Sequence, residues 1–255
     1  MNACCARRLF VGLVLIGILL VNPIFANPHP YVIATHPKGG SHLLIKILNM
    51  IHGYRPADLL CHYDGLRFRP SMIDECWQSG GMPWVHLFAP VFTYNYFYSN
   101  HPDYQVVVII RDLRDAYVSY AHWVCKDPEI SEEEKINRVL EDSGYFEMSS
   151  YLSIFLDDPR FYVIRFEDLI GPKGGGSKDK QTQTIYDLAA YVGMPISKSL
   201  ADEYGEKLFG DSGGTFRKGQ IGSWKEACNE EQKNWFKENF GDELIRLGYE
   251  KDYNW

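Results

Sequence analysis

Residues 31–48 read YVIATHPKGGSHLLIKIL, and in them a strand pattern passes directly into a helix pattern. The first four residues are apolar and rich in strand formers. The apolar residues of the second half are spaced as one face of an α-helix, namely Leu44, Ile47, Leu48 and Ile51. The turn Lys38-Gly39-Gly40-Ser41 lies between the two patterns, where unpaired N–H groups and the positive end of a helix dipole attract anions. The stretch therefore predicts an α/β unit with a phosphate or sulfate site.

The position of Lys38 separates this turn from a Walker loop. The Walker pattern G-x-x-x-x-G-K-[ST] places its lysine after the last glycine, whereas Lys38 precedes Gly39 and Gly40. A plain strand–turn–helix connection, in which glycine supplies a positive φ angle, explains the same residues. On these residues alone, both the anion site and the plain connection stay open.

Length and charge restrict the class of protein. The chain has 255 residues, 45% of them hydrophobic, which is enough for one domain with a substantial core. Its formal net charge of −7 argues against a broad nucleic-acid-binding surface. An anion site in this chain must therefore be a local concentration of lysine and arginine.

Two further strand patterns end in charged residues. Residues 104–110, YQVVVII, are a continuous β-branched run typical of a central parallel strand, and Arg111 follows them. Residues 161–166, FYVIRF, end in Glu167-Asp168. The alternation of strand and helix patterns predicts an α/β fold, a single domain with a central parallel β-sheet flanked by helices. Ligands bind at the carboxyl ends of such strands, and two basic strand ends suggest a ligand with two anionic groups.

Arg111 also bears on metal chemistry. A metal-dependent phosphoryl-transfer enzyme such as a nucleotide kinase is expected to carry a metal-binding carboxylate at this strand end. Because the first polar residue is an arginine, we expect no metal site. A weak surface salt bridge between Arg111 and Asp112 or Asp115 is the alternative to an anion-binding role.

The N-terminus has the layout of a secretory signal peptide over residues 1–26. Arg7 and Arg8 precede an uncharged apolar run, and Ala26 is a small residue suited to cleavage. We expect an exported protein, secreted or periplasmic. A membrane anchor through residues 9–26 is the second interpretation, and a cytoplasmic protein is the third. Contact with a membrane is expected only through this segment, if it is uncleaved.

Four cysteines lie beyond the leader, namely Cys61, Cys76, Cys125 and Cys228. None forms a C-x-x-C pair, so the pattern does not indicate a zinc or thioredoxin-like site. Two disulfides are possible in an exported protein, and the spacing does not define their pairing.

Three separated segments together resemble one family, the sulfotransferases that use 3′-phosphoadenosine 5′-phosphosulfate (PAPS). THPKGGSHLL at 35–44 is similar to their 5′-phosphosulfate loop, and VVVIIRDLRDAYVSYAHW at 106–123 is similar to their 3′-phosphate motif. FRKGQIGSWK at 216–225 is similar to their C-terminal signature. The order and spacing agree over residues 31–255, which implies a sulfotransferase-like domain with P-loop-like architecture.

The resemblance implies a role for each matching residue. Lys38 would contact the bridging oxygen and the 5′-phosphate of PAPS and assist catalysis. Donors around that phosphate would come from Gly39, Gly40, Ser41 and His42. The 3′-phosphate would be held by Arg111 and Ser119, and closed over by Arg217, Lys218 and Gly219. His86 matches the catalytic base, although a histidine in an apolar stretch is also a common core residue.

The implied reaction moves a sulfuryl group from PAPS to a hydroxyl or amine, leaving adenosine 3′,5′-bisphosphate (PAP). PAPS is a co-substrate, no metal is expected, and the acceptor is a small molecule, a glycan or a peptide. Two positions depart from the family pattern: Leu43 replaces a tryptophan that stacks on adenine, and Trp84 replaces a lysine. These departures motivate a second hypothesis, a non-catalytic nucleotide- or sulfate-binding protein that retains the fold.

Overall fold

The computed structural model describes residues 31–53, 60–63, 72, 75–76, 78–79, 81–86, 94–95, 99, 104–210 and 216–255. The leader, residues 1–26, lies outside this range. Within it, a five-stranded sheet runs in the order β2-β3-β1-β4-β5 with every neighbouring pair parallel. The strands are β1 (Tyr31–Thr35), β2 (Leu60–Tyr63), β3 (Met82–His86), β4 (Gln105–Ile110) and β5 (Phe161–Arg165). The predicted fold class is confirmed.

Helices connect the strands and cover both faces of the sheet. In chain order they are α1 (Ser41–His52), α2 (Leu113–Val124), α3 (Glu132–Leu140), α4 (Ser143–Ser149), α5 (Phe166–Leu169), α6 (Lys178–Tyr191), α7 (Lys198–Leu208), α8 (Trp224–Ala227) and α9 (Glu230–Arg246). Short 3₁₀ turns span Leu152–Phe155 and Pro172–Gly174. No helix in the described ranges combines the length and apolarity needed to span a membrane.

The alternation of side chains in the central strands divides the core into two layers. Val106 and Val108 of β4 pack on one face with α2 and α9, while Val107 and Ile109 pack on the other with α1 and α6. Both faces are buried because a parallel sheet is covered on each side by its crossover helices. This arrangement brings the carboxyl ends of β1 and β4 to one edge, next to each other.

The glycine-rich segment 171–176 is more ordered than its composition suggests. Low complexity predicts a flexible polar loop, but Pro172–Gly174 form a 3₁₀ turn in which Gly174 N–H donates to the Gly171 carbonyl at 3.0 Å. The Gly176 N–H donates to the same carbonyl at 2.9 Å. Backbone hydrogen bonds, which a compositional argument does not include, close this loop on itself.

Candidate functional site

The turn between β1 and α1 leaves a helix N-terminus open. The first helical hydrogen bond runs from Leu44 N–H to the Gly40 carbonyl, and no side chain caps this end in the described structure. The amides of Ser41 and His42 therefore lack partners within the helix. With no acidic residue in its first turn, α1 presents a positive dipole end without a neutralising carboxylate.

Glycine is required at two positions of this turn. A Cβ on Gly39 would lie 2.3 Å from Nε2 of His36, whose side chain is fully buried. Gly40 has φ +112°, and a Cβ there would lie 2.9 Å from both Ile109 and Phe166. Close packing of the turn on the sheet therefore explains both glycines, and it also brings Lys38 to the strand end.

Arg111 follows β4 directly and joins the three sequence segments. Its Nη2 donates to the Gln220 carbonyl at 3.0 Å, and its Nη1 lies 3.4 Å from the Lys38 carbonyl. The guanidinium stacks on Phe166 at 4.3 Å. Its Nε is buried and has no protein partner among the described residues. The alternative of a surface salt bridge is wrong for Arg111, because the side chain is buried and contacts carbonyls.

Arg114, three residues later, has a different role. It forms ion pairs with Asp112 at 2.8 Å and Glu250 at 2.6 Å. Its guanidinium lies 3.8 Å from the ring of Trp224 and 4.3 Å from that of Trp255. All of these contacts are structural, so one arginine of the R-D-L-R segment supports the fold and the other faces the site.

The C-terminal signature forms a loop that is held on two sides. The Asp115 carboxylate accepts hydrogen bonds from Gly222 N–H at 2.7 Å and Trp224 N–H at 3.0 Å. On the other side, Ile221 N–H donates to the Gly174 carbonyl at 3.0 Å. Gln220 Nε2 donates to the Lys173 carbonyl at 2.9 Å. The loop is thereby fixed between α2 and the glycine-rich turn.

A single pocket gathers most of the candidate residues from the three segments. Its lining includes Lys38, Gly40, Ser41, His42, Arg111, Ser119, Arg217, Lys218 and Gly219. Gly39 is buried behind the turn and does not line the pocket. His86 ends β3 in register with Thr35 of β1, so its backbone lies at the same edge of the sheet. Its side chain lies outside the described part of the structure.

Three of the cations that line the pocket, Lys38, Arg111 and Arg217, repel one another. Burial lowers the pKa of Lys38, and the charges of Arg111 and Arg217 lower it further. Burial likewise lowers the pKa of Arg217, with a further contribution from Arg111 that Glu132 and Asp115 partly oppose. Clustered, partly buried cations in an acidic protein are typical of a site for a multiply charged anion.

The two departures from the family pattern lie beside the pocket. Trp84 is 6% exposed, and its Nε1 donates to the Thr35 hydroxyl at 2.9 Å, an oxygen that also accepts from Ser41 at 2.7 Å. Its ring meets His42 edge-on at 5.8 Å. Leu43 lines the pocket. Trp84 therefore supports the turn through the Thr35 hydroxyl. The lysine of the family pattern would instead place another positive charge at this position.

Sequence reasoning missed several residues of the site. Trp123, Phe166, Ile170 and Phe216 give the pocket an apolar side. Trp123 is four residues after Ser119 on α2, so helical periodicity places both on one face. The residues that support the loops, Asp115 above all, carry no sequence signal of that role. Among the described residues no three histidine, cysteine or acidic side chains are grouped as a metal site.

Comparisons with known proteins agree with this architecture. No family model matches the chain. It is 24% identical over 169 residues to sulfotransferase 6B1 of Danio rerio, a match that covers 58% of this chain and 54% of that protein. The match thus spans about half the length of that relative. The crystal structure of mouse sulfotransferase SULT7A1 complexed with PAP superposes with a TM-score of 0.57 at 17% identity, covering 86% of each chain. The chain therefore has the fold of the sulfotransferases, and the resemblance that its three motifs predicted is confirmed.

Proposed function

We propose that the protein is a sulfotransferase that moves the sulfuryl group of PAPS to a hydroxyl or amine acceptor. The observation that carries the proposal is the meeting of Lys38, Arg111 and Arg217, from three distant segments, around one pocket. Bringing three like charges together is unfavourable unless an anion offsets the repulsion. The sulfotransferase fold and the PAP bound to the mouse protein support a nucleotide with two phosphate positions as that anion.

The residues present fit PAPS. The Arg111 Nε is a buried donor with no partner in the described structure, and a phosphate oxygen would satisfy it. The open N-terminus of α1 and the lysine beside it suit a second phosphate. Ser119 lines the pocket on the α2 side, together with Arg111 and the loop bearing Arg217. The pocket thus offers two groups of anion-binding residues, as a nucleotide bisphosphate requires.

The chemistry assigned to these residues follows from charge development. When bound, PAPS supplies an electrophilic sulfuryl group whose bond to a phosphate oxygen breaks as a bond to the acceptor oxygen or nitrogen forms. Lys38 Nζ stabilises the negative charge that grows on that phosphate oxygen. His86 takes the acceptor proton as general base, a role typically worth ~10²–10⁴-fold in rate. The residues at the start of α1 and those of the C-terminal signature, residues 216–225 (the signature loop), hold the phosphates in place.

Two measurements test the proposal. We expect PAP to bind in calorimetry without added magnesium, and labelled sulfate to pass from PAPS to one of a panel of phenols, sterols, sugars and peptide tyrosines. Arg217→Ala should weaken PAP binding by about 1.5–3 kcal/mol, or roughly 10- to 150-fold. Lys225→Ala is the matched control, because Lys225 is an exposed cation of the same segment that does not line the pocket. Equal losses in both variants would contradict the assigned site.

A non-catalytic binding protein is the second candidate. The observation that favours it is Trp84, an apolar residue buried under the turn where the family pattern has a charged lysine. Binding of PAP with no sulfate transfer to any acceptor would support this candidate. Failure to bind either PAP or inorganic sulfate would refute both.

We also propose that the protein is exported or anchored through residues 9–26. The leader composition supports export. Cys76 is disulfide-bonded, whereas Cys125 and Cys228 are free. Disulfides persist mainly in oxidising compartments, so this bond supports the same location.

A further inference from the structure

Lys38 has an unusual backbone conformation. Its φ angle is +63°, a left-handed conformation that L-residues other than glycine rarely adopt. Such a conformation persists only where surrounding contacts impose it, and it is concentrated at functional sites. The contacts that hold Lys38 in this state therefore help to set the position of its side chain.

The peptide groups on both sides of Lys38 are fixed by hydrogen bonds. The φ angle of Lys38 sets the orientation of the preceding peptide group, whose carbonyl belongs to Pro37. That carbonyl accepts a hydrogen bond from the Tyr145 hydroxyl at 2.9 Å. The ψ angle sets the following peptide group, in which Gly39 N–H donates to the His36 carbonyl at 3.1 Å. The hydrogen bond from Tyr145 thus holds the peptide group whose orientation is set by the φ angle of Lys38.

Tyr145 is well suited to hold an atom in place. Its side chain is fully buried in the α4 segment. Its ring stacks on Tyr120 at 3.9 Å with an angle of 4°, and meets Tyr117 edge-on at 4.6 Å. Burial raises the pKa of Tyr145 well above its ordinary value, so the hydroxyl remains a donor across the physiological pH range. Neither the three sequence motifs nor the pocket lining includes this residue.

We propose that Tyr145 is a positioning residue for Lys38: its hydroxyl holds the Pro37 carbonyl, and thereby keeps the Lys38 amine directed into the pocket. The proposal rests on the proposed function for the identity of the ligand. Tyr145 itself contacts no reacting atom and acts only through Lys38. Loss of the hydroxyl should leave the aromatic cluster packed while freeing the backbone at Lys38.

A double-mutant cycle tests the coupling. Tyr145→Phe should weaken PAP binding by about 3- to 10-fold, the loss expected for one hydrogen bond. In a Lys38→Ala background the same change should have little further effect, because the side chain that it positions is gone. Tyr117→Phe is the matched control: it removes a hydroxyl from the same cluster, one that contacts Ser149 at 3.3 Å and not the turn. Equal losses from Tyr145→Phe in both backgrounds would overturn the proposal.

A second measurement needs no ligand and separates failure of the inference from failure of the proposed function. The rate at which an acylating reagent modifies Lys38, followed by mass spectrometry against pH, reports the pKa of its amine. Release of Lys38 should move this profile to higher pH in Tyr145→Phe and leave it unchanged in Tyr117→Phe. If the unaltered protein does not bind PAP, the proposed function fails, and this profile alone decides the inference.

A second substitution at position 145 guards against loss of folding in Tyr145→Phe. If Tyr145→Phe melts at the working temperature, 4-fluorophenylalanine at position 145 fills the space of the hydroxyl without donating a hydrogen bond. An unchanged Lys38 profile and unchanged PAP affinity in either folded variant would refute a positioning role for Tyr145.

Discussion

At the residue scale, Arg114, Arg111 and Lys38 differ in whether their charge is balanced by partners within the protein. Arg114 is buried with two carboxylates and two rings around it, so its charge is fully used within the fold. Arg111 is also buried, but it contacts carbonyls and keeps one donor without a protein partner in the described structure. Lys38 has a lowered pKa because burial and two arginines disfavour its charge. The residues whose charge is not balanced within the described structure are those to which we assign the anion.

The charge of Lys38 should cost stability in the ligand-free protein. Its folded-state pKa lies below the ordinary lysine value of 10.5, so the folded state holds this proton less tightly than the unfolded chain. The contribution of Lys38 to stability therefore rises as pH increases through the lowered pKa toward 10.5. We expect Lys38→Met to raise the melting temperature of the ligand-free protein at neutral pH while weakening PAP binding by roughly 10-fold or more.

The measurement is a pair of melting curves with and without PAP at several pH values. PAP affinity of the unaltered protein should fall as pH rises through the lowered Lys38 pKa, because the neutral amine no longer attracts phosphate. A lower melting temperature for Lys38→Met without ligand would show that its charge is balanced within the protein.

His86 gives a second prediction at this scale. If His86 is the proposed general base, His86→Ala should reduce single-turnover sulfuryl transfer by roughly 10²-fold or more. PAP affinity should stay nearly constant, because the phosphate contacts are assigned to other residues. Transfer should increase with pH, because only the neutral imidazole can accept the acceptor's proton. A stable variant that binds PAP and transfers sulfate at full rate would remove His86 from the mechanism.

At the scale of elements, the site is held together by contacts between loops. Arg111 after β4 reaches the carbonyl of Gln220, and Asp115 in the first turn of α2 holds the backbone at Gly222 and Trp224. The glycine-rich turn supports the other side of the same loop. A Cβ on Gly174 would lie 2.6 Å from the Gly219 carbonyl, which shows how closely the two loops pack. The position of the signature loop therefore depends both on α2 and on the glycine-rich turn.

Asp115→Ala tests this dependence. It would leave the N–H groups of Gly222 and Trp224 without their acceptors, at a cost of about 1–3 kcal/mol for each buried group. We expect a lower melting temperature together with weaker PAP binding, because the loop carrying Arg217 loses its attachment to α2. Glu243→Ala is a useful control, since the Glu243 carboxylate also joins two segments, accepting from the Ser153 N–H at 2.6 Å and the Ser153 hydroxyl at 2.8 Å, and does not line the pocket. A similar loss of PAP affinity in both variants would contradict a specific role for Asp115.

At the scale of the whole molecule, one edge of a parallel sheet brings together Lys38, Arg111 and Arg217, which lie 73 to 179 residues apart in sequence. Two helices begin at this edge, and each packs into one core layer: α2 on one face of the sheet and α1 on the other. Because both layers are apolar, Lys38 and Arg111 lie outside them, in the loops that follow the strands. The pocket is a consequence of this geometry, and its chemistry depends on which residues follow each strand.

Export is the prediction that belongs to the molecule as a whole. We expect cleavage near Ala26, because the leader has a basic region, an apolar core and a small residue in order. Mass spectrometry of protein recovered from a secreting host gives the mature N-terminus. An intact Met1 on protein recovered from the cytosol would refute export, whereas an intact Met1 in a membrane fraction would indicate the anchor.

The sequence by itself determined the fold class, the positions of the three strands β1, β4 and β5, and the candidate anion-binding loops, whereas β2, β3 and the order of strands in the sheet came from the structure. These features are local: strand and helix periodicity, glycine where the backbone must turn tightly, and charge immediately after a strand each act over fewer than about ten residues. The resemblance to sulfotransferases then implied that the three motifs bind one ligand, PAPS. Arg111 and Ser119 could be assigned together because they belong to one continuous segment.

Only the tertiary structure decided which charges are balanced and what supports the site. Arg111 and Arg114 lie in one short motif, yet Arg114 contacts Glu250 and Trp255, far along the chain. Arg111 keeps a buried Nε that has no protein partner among the described residues. Tyr145 reaches the Pro37 carbonyl across 108 residues of sequence. Contacts of this kind depend on how the helices pack on the sheet, and no local pattern encodes them because packing joins residues that are unrelated in sequence.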